Sequence, residues 1–193
     1  DGTLSQTDPF GTEYDYDCFA TLYIADQISS AGTIDMVAWD CVSISNLEIP
    51  YKIYLKNTTS TYLTSPDVVI EQAILVKQGL FVPNTLGWRA FELDVPFQYT
   101  GGNLIVIVVI GDVNIERQNR ALFSCTYNIG QFHLTWKYTY NTHLLGDYSV
   151  YMPNILLNFV DGGVENDICA LGLNGPLVPP VGEEAHYTVS VSN

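Results

Sequence analysis

Residues 47–55 read LEIPYKIYL. Leu47, Ile49, Tyr51, Ile53 and Leu55 recur at every second position, with Glu48, Pro50, Lys52 and Tyr54 between them. A period of two puts one set on each face of an extended chain, so this is a half-buried strand whose apolar side needs a covering layer. Pro50 has no N–H to give a ladder, which predicts an edge strand or a bulge at that point.

The same grammar extends in both directions. FATLYI from Phe19 reads as a strand, and ADQISSAG after it is too short for a substantial helix and closes at Gly32. TIDMVAWDCVSI is apolar on both faces, as in a bulged or doubly covered strand. Farther on, Val68, Ile70, Ile74 and Val76 are expected on one face, with Glu71 and Lys77 pointing away. GWRAFELDVPF leads through the turn TGGN into LIVIVVI, Leu104–Ile110, whose two apolar faces predict a central strand between covering layers. FHLTWKYTY alternates again, and NILLNF before DGG closes the pattern near residue 163. The stripe Trp136–Tyr138–Tyr140 reads as core rather than as a binding platform. Strands at roughly ten-residue spacing, punctuated by Gly, Pro and Asn, predict an all-β antiparallel sandwich of jelly-roll or immunoglobulin-like type.

This reading divides the chain of 193 residues into three parts. Residues 1–18 are expected to be an acidic arm or loop over the surface, and residues 19–163 the sandwich. Residues 164–193 reset the pattern: ICALGL, a GPLVPPVGEE turn and HYTVSVSN read as two strands, which cannot bury an apolar side alone. They are expected to be the first strands of a further immunoglobulin-like domain, or a donor segment that completes a neighbouring subunit and so builds a filament.

Composition narrows the functional classes. Twenty-one acidic against seven basic residues give a net charge of −14, which argues against a nucleic-acid or anionic-membrane partner. LIVIVVI is strand-length rather than bilayer-length, so no membrane insertion is expected. The residues from Asp1 do not read as a signal peptide, so a secreted protein is expected to be present here in mature or excised form. Four cysteines, none in a C-x-x-C pair, argue against zinc; Cys18 with Cys41 is the favoured disulfide, with four free thiols as the alternative.

The sequence shows little catalytic chemistry. His133, His143 and His186 are not at metal-binding spacing, and no nucleophile elbow or phosphate loop is present. Cys18 sits among acids that raise a thiol pKa. No catalytic residue is assigned, and a non-enzymatic module is expected. Calcium is the candidate cofactor, with Asp15, Asp17, Asp112, Glu116, Asp161 and Asp167 as candidate oxygen ligands; solvated acids are the plainer reading. For glycans the candidate stacking residues are Tyr14, Tyr16, Tyr127, Tyr148 and Tyr151, all expected in loops. Asn57-Thr58-Thr59 fits a glycosylation acceptor, but reads better as a polar hairpin turn.

Three stretches together carry a resemblance: IYLKNTT (Ile53–Thr59), GWRAFELDVPFQYTGGNLIV (Gly87–Val106) and MPNILLNF (Met152–Phe159). They resemble a β-sandwich module of secreted, multidomain Bacteroidota surface proteins. The tail resembles the start of an adhesion-related (CARDB-like) immunoglobulin-like repeat. The resemblance implies export, often by the type IX system, and an adhesin or scaffold role with other domains of a long chain as partners. In VPFQYTGGNLIV, Pro96 is expected to end a strand or lie at an edge, the Gly pair to allow positive φ, Asn103 to satisfy turn backbone, and Trp88 and Phe97 to fill the core.

Overall fold

The computed structural model describes residues 4–11, 16–28, 31–63, 70–111, 120–128, 133–139, 142–143 and 147–160, with the side chains of Tyr16 and residues 133–147 outside that description. The tail, residues 164–193, also lies outside it. The strands in chain order begin with β1 (Leu4–Gln6), β2 (Tyr16–Tyr23), β3 (Gly32–Ser43), β4 (Ile49–Thr58), β5 (Ile74–Phe81) and β6 (Gly87–Tyr99). There follow β7 (Asn103–Ile110), β8 (Leu122–Tyr127), β9 (His133–Thr139), β10 (Thr142–His143), β11 (Asp147–Ser149), β12 (Tyr151–Pro153) and β13 (Ile155–Phe159). Ala25–Gln27 adds one turn of 3₁₀ helix.

Two antiparallel sheets make a β-sandwich, as expected. One runs β1-β8-β3-β13, with β12 also on β8 and β6 also on β3; the other runs β10-β9-β2-β7-β4-β5, with β11 also on β9. Ile49, Tyr51, Ile53 and Leu55 all face the core between the sheets, so the alternation that opens the sequence reading is the alternation of burial. β7 lies between β2 and β4, the central place its two apolar faces require. Its inward residues Leu104, Val106, Val108 and Ile110 join the main core. Its outward Ile105 and Ile107 join a second cluster with Cys18, Ala20, Leu22 and Leu63. Leu63, Ile70 and Ala73, the described residues of the β4–β5 connection in that cluster, cover part of the outer face of the sheet.

Several expectations are corrected. β4 is an interior strand flanked by β7 and β5, and its register shift falls at Ile53/Tyr54, not at Pro50. Pro50 is tolerated because it stands at the strand's start, where its missing N–H costs little. Val76 is core and Ile70 packs on the outer cluster, so these two lie on opposite sides of the sheet; Ile74 begins β5 and is exposed, and Val68 lies outside the described residues. Asn57 is within β4 rather than in a hairpin turn.

Residues 4–11 of the amino-terminal stretch are not an arm. β1 pairs with β8, and beyond the cis Asp8–Pro9 peptide Phe10 is buried in the main core. Phe97 fills the core as expected, but Trp88 is 44% exposed, because it pairs with Asp40 on the outer face of β3. Pro96 does not end a strand. It lies inside β6, whose pairing with β3 skips between Phe97 and Glu92, a bulge that accommodates proline.

The polar residues of the three quoted stretches act on backbone. The Asn57 side chain accepts from Thr100 N at 3.1 Å and donates to Gln98 O at 2.8 Å, tying β4 to the β6–β7 turn. Asn103 Oδ1 accepts from Ala25 N at 2.8 Å while its Nδ2 donates to Ser60 O at 2.9 Å. Gly101 has φ +86°, a conformation that favours glycine, and Tyr99 Oη donates to Gly102 O. Asn154 marks the point where the chain leaves β8 and joins β3: its N donates to Ser124 O at 3.0 Å, and Thr126 Oγ1 donates to its Oδ1 at 2.7 Å. Tyr23, from the other sheet, donates to Pro153 O at 2.7 Å beside that crossover. These side chains fix turns and crossovers; they are architecture.

Candidate functional site

Of the five tyrosines singled out in the sequence, the structure brings two together. Tyr127 ends β8 and Tyr151 begins β12, and they are direct cross-strand partners. Their ring centroids lie 5.9 Å apart with an interplanar angle of 67°, edge to face. Tyr127 is 54% and Tyr151 42% exposed, so both residues meet water. Strand geometry, not a loop, holds them. Gln6 Nε2 donates to Tyr151 O at 3.1 Å, Tyr151 N donates to Ser149 Oγ at 3.1 Å, and Asn128 N donates to Val150 O at 2.6 Å. A ring needs only two side-chain torsions fixed, so such a pair offers contact area at low entropic cost. Tyr148 stands apart in role: its hydroxyl donates to Leu63 O at 2.7 Å and helps hold the β4–β5 connection. Tyr14, and the side chain of Tyr16, lie outside the described residues.

A second feature, a concave one, had no signal in the sequence. On the seven-stranded sheet an open cleft of about 430 Å³ is lined by Pro50, Lys52, Gln78 and Val109, with Tyr51, Gly79 and Gly111 at its walls. That volume lies in the range of small-ligand pockets. Its lining residues come from three strands, β4, β5 and β7, plus the residue after β7. No local run of sequence joins them.

No family model matches the chain, and no curated protein matches it. Among solved structures it is similar to the cysteine protease and lectin-like domains of Cwp84, a surface layer associated protein of Clostridium difficile. The identity is 10% and the TM-score 0.44, over 76% of this chain and 33% of that one. It is also similar to the clostridial cysteine protease Cwp84 after propeptide cleavage, at 10% identity and a TM-score of 0.45, over 80% of this chain and 37% of that one. The chain thus spans about a third of the length of either structure.

The cysteines are not a reactive site. Cys18 and Cys41 are both free thiols, so the favoured disulfide is not formed. Cys18 faces the outer cluster of one sheet and Cys41 faces the main core from the other, which leaves a sheet between them. Burial pushes the Cys18 thiol far above its ordinary range, and the neighbouring Asp17 carboxylate adds to this. Burial likewise raises Cys41 and Cys125. Iodoacetamide at pH 8 should therefore leave the peptides of Cys18, Cys41 and Cys125 unmodified in the folded protein and label them after denaturation. Rapid labelling of Cys18 in the native state would contradict this packing.

Asp17 is a buried residue of β2, opposite Ile110. The other candidate calcium ligands, Asp15, Asp112, Glu116, Asp161 and Asp167, lie outside the described residues. Among the described residues no three His, Cys, Asp or Glu side chains converge as a metal site.

Proposed function

We propose that the chain is a non-catalytic, extracellular β-sandwich module of a bacterial surface protein that binds carbohydrate through Tyr127 and Tyr151. The observation that carries this reading is the exposed, strand-held tyrosine pair. An open aromatic face stacks on the C–H face of a sugar ring, and the two phenolic hydroxyls supply hydrogen-bond partners for its polar rim. Fixing both rings on paired strands lowers the ordering cost on binding. The acidic composition keeps so tyrosine-rich a surface soluble. The asparagines that hold the turns fit a rigid scaffold that carries this face without chemistry of its own.

The test is a glycan array probed with the unmodified chain and with two variants. Tyr127→Ala and Tyr151→Ala should each weaken the strongest glycan signal about tenfold, or ~1.4 kcal/mol, with the fold unchanged by circular dichroism. Glycan binding that both variants leave intact would remove the tyrosine face from the account. Turnover of a bound glycan would overturn the non-catalytic reading.

A further inference from the structure

The outer face of the seven-stranded sheet is covered over one part and open over another. Leu63, Ile70 and Ala73 cover Tyr54, Ile105 and Ile107. The neighbouring rows are open. There Lys52 stands between Gln78 on β5 and Val109 on β7, and Pro50 lies beside Leu80, which is 66% exposed. Because Tyr51 and Ile53 point into the core, Pro50 and Lys52 share this outer face.

Gly111 opens the hollow. A Cβ added to Gly111 would meet no atom within 4 Å, so the missing side chain leaves open space. Gly79 is the cross-strand partner of Tyr51, so a Cβ there would project to the core side, 3.4 Å from Tyr51 Oη, and the space on the outer face is left by Gly111. Gly111 N donates to Pro50 O at 3.1 Å, so the floor is tied down.

Charge selects the ligand. Lys77 pairs with Asp94 at 2.6 Å, Lys56 donates to Glu71 O at 2.6 Å, and Arg89 donates to Thr85 Oγ1. Lys52 has no hydrogen bond or ion pair among the described residues, and it is the charged group of an otherwise neutral, largely apolar cleft. In a chain of net charge −14, an unengaged ammonium in a hollow is suited to a single anionic group brought close.

We propose that this cleft is a subsite for a carboxylate-bearing sugar ring, a hexuronate. Its carboxylate sits on Lys52 Nζ, its C–H face on Pro50 and Val109, and its hydroxyls reach the Gln78 amide. The volume suits one or two rings rather than a longer chain segment. The inference shares with the tyrosine reading only the ligand's broad class. It rests on the other sheet, so either can fail alone.

The experiment is an amide ¹H–¹⁵N titration of the whole chain with methyl β-glucuronide, methyl β-glucoside and an N-acetyl-glutamyl amide. The glucuronide should shift Gln78, Gly79, Val109 and Gly111 saturably, and the other two probes should bind more weakly. Lys52→Gln should weaken the glucuronide about fivefold, the scale of one partly solvated ion pair. Gly111→Val, which fills the open space, should abolish the shifts while the rest of the spectrum stays in place. Equal binding of the glucoside, better binding of the glutamyl probe, unchanged affinity in Lys52→Gln, or no shift at these residues would each overturn the proposal.

Discussion

Phe10→Ala is expected to lower the free energy of unfolding by about 3–5 kcal/mol, the range for removing a buried aromatic side chain. Phe10 is 3% exposed and sits among five aromatic rings drawn from both sheets. Phe81 lies at 4.8 Å and Tyr51 at 6.1 Å from one sheet; Phe91 lies at 5.2 Å, and Trp39 and Phe123 at 5.4 Å, from the other. These neighbours are anchored on strands, so they cannot close over the gap, and the cavity term adds to the lost burial. Urea unfolding monitored by tryptophan fluorescence, at unchanged m-value, measures the loss. Trp88→Ala supplies the contrast. Trp88 is larger but faces solvent opposite Asp40, and its removal should change stability by less than about 0.5 kcal/mol. A mild Phe10→Ala with a severe Trp88→Ala would reverse the account of the core.

Asn103→Ala is expected to cost about 2–3 kcal/mol, because one amide satisfies two backbone groups from separate segments. Its loss frees Ala25 N–H and Ser60 C=O together, at the root of the central strand β7. Asn103→Asp keeps the acceptor for Ala25 N but sets a carboxylate oxygen against the Ser60 carbonyl, so it should not restore stability. Hydrogen exchange gives the local readout: the Ala25 amide should exchange faster in Asn103→Ala and remain protected in the aspartate variant. A loss below about 0.5 kcal/mol would mean that water replaces both bonds without cost, and that this asparagine is not an architectural residue.

The sequence made the strands legible where burial repeats every two residues. Ile49 to Leu55 and the doubly apolar Leu104–Ile110 occupy the positions their patterns demand. Trp88 was misread although the signal was present. It lies three residues from Phe91, so on a strand the two must face opposite ways, and Phe91 is core. Phe10 carried no such signal. Its surroundings are polar and acidic, and only the arrival of five rings from distant strands buries it. The same limit applies to function. Tyr127 and Tyr151 were expected in loops; they become one face through the β8–β12 register, a contact no local pattern encodes. Lys52 reads as an ordinary solvent-facing lysine, and its cleft depends on the space left at Gly111, beyond the end of another strand.

The central claim is that the Tyr127–Tyr151 pair binds carbohydrate, and tyrosine-ring NMR tests it most directly. Ring signals assigned by single Tyr→Phe variants would be followed as the strongest array glycan is added. The account predicts saturable shifts at Tyr127 and Tyr151, with the buried rings of Tyr51 and Tyr99 unmoved. A glycan that binds while both exposed rings stay still, or the absence of any bound glycan, would contradict it.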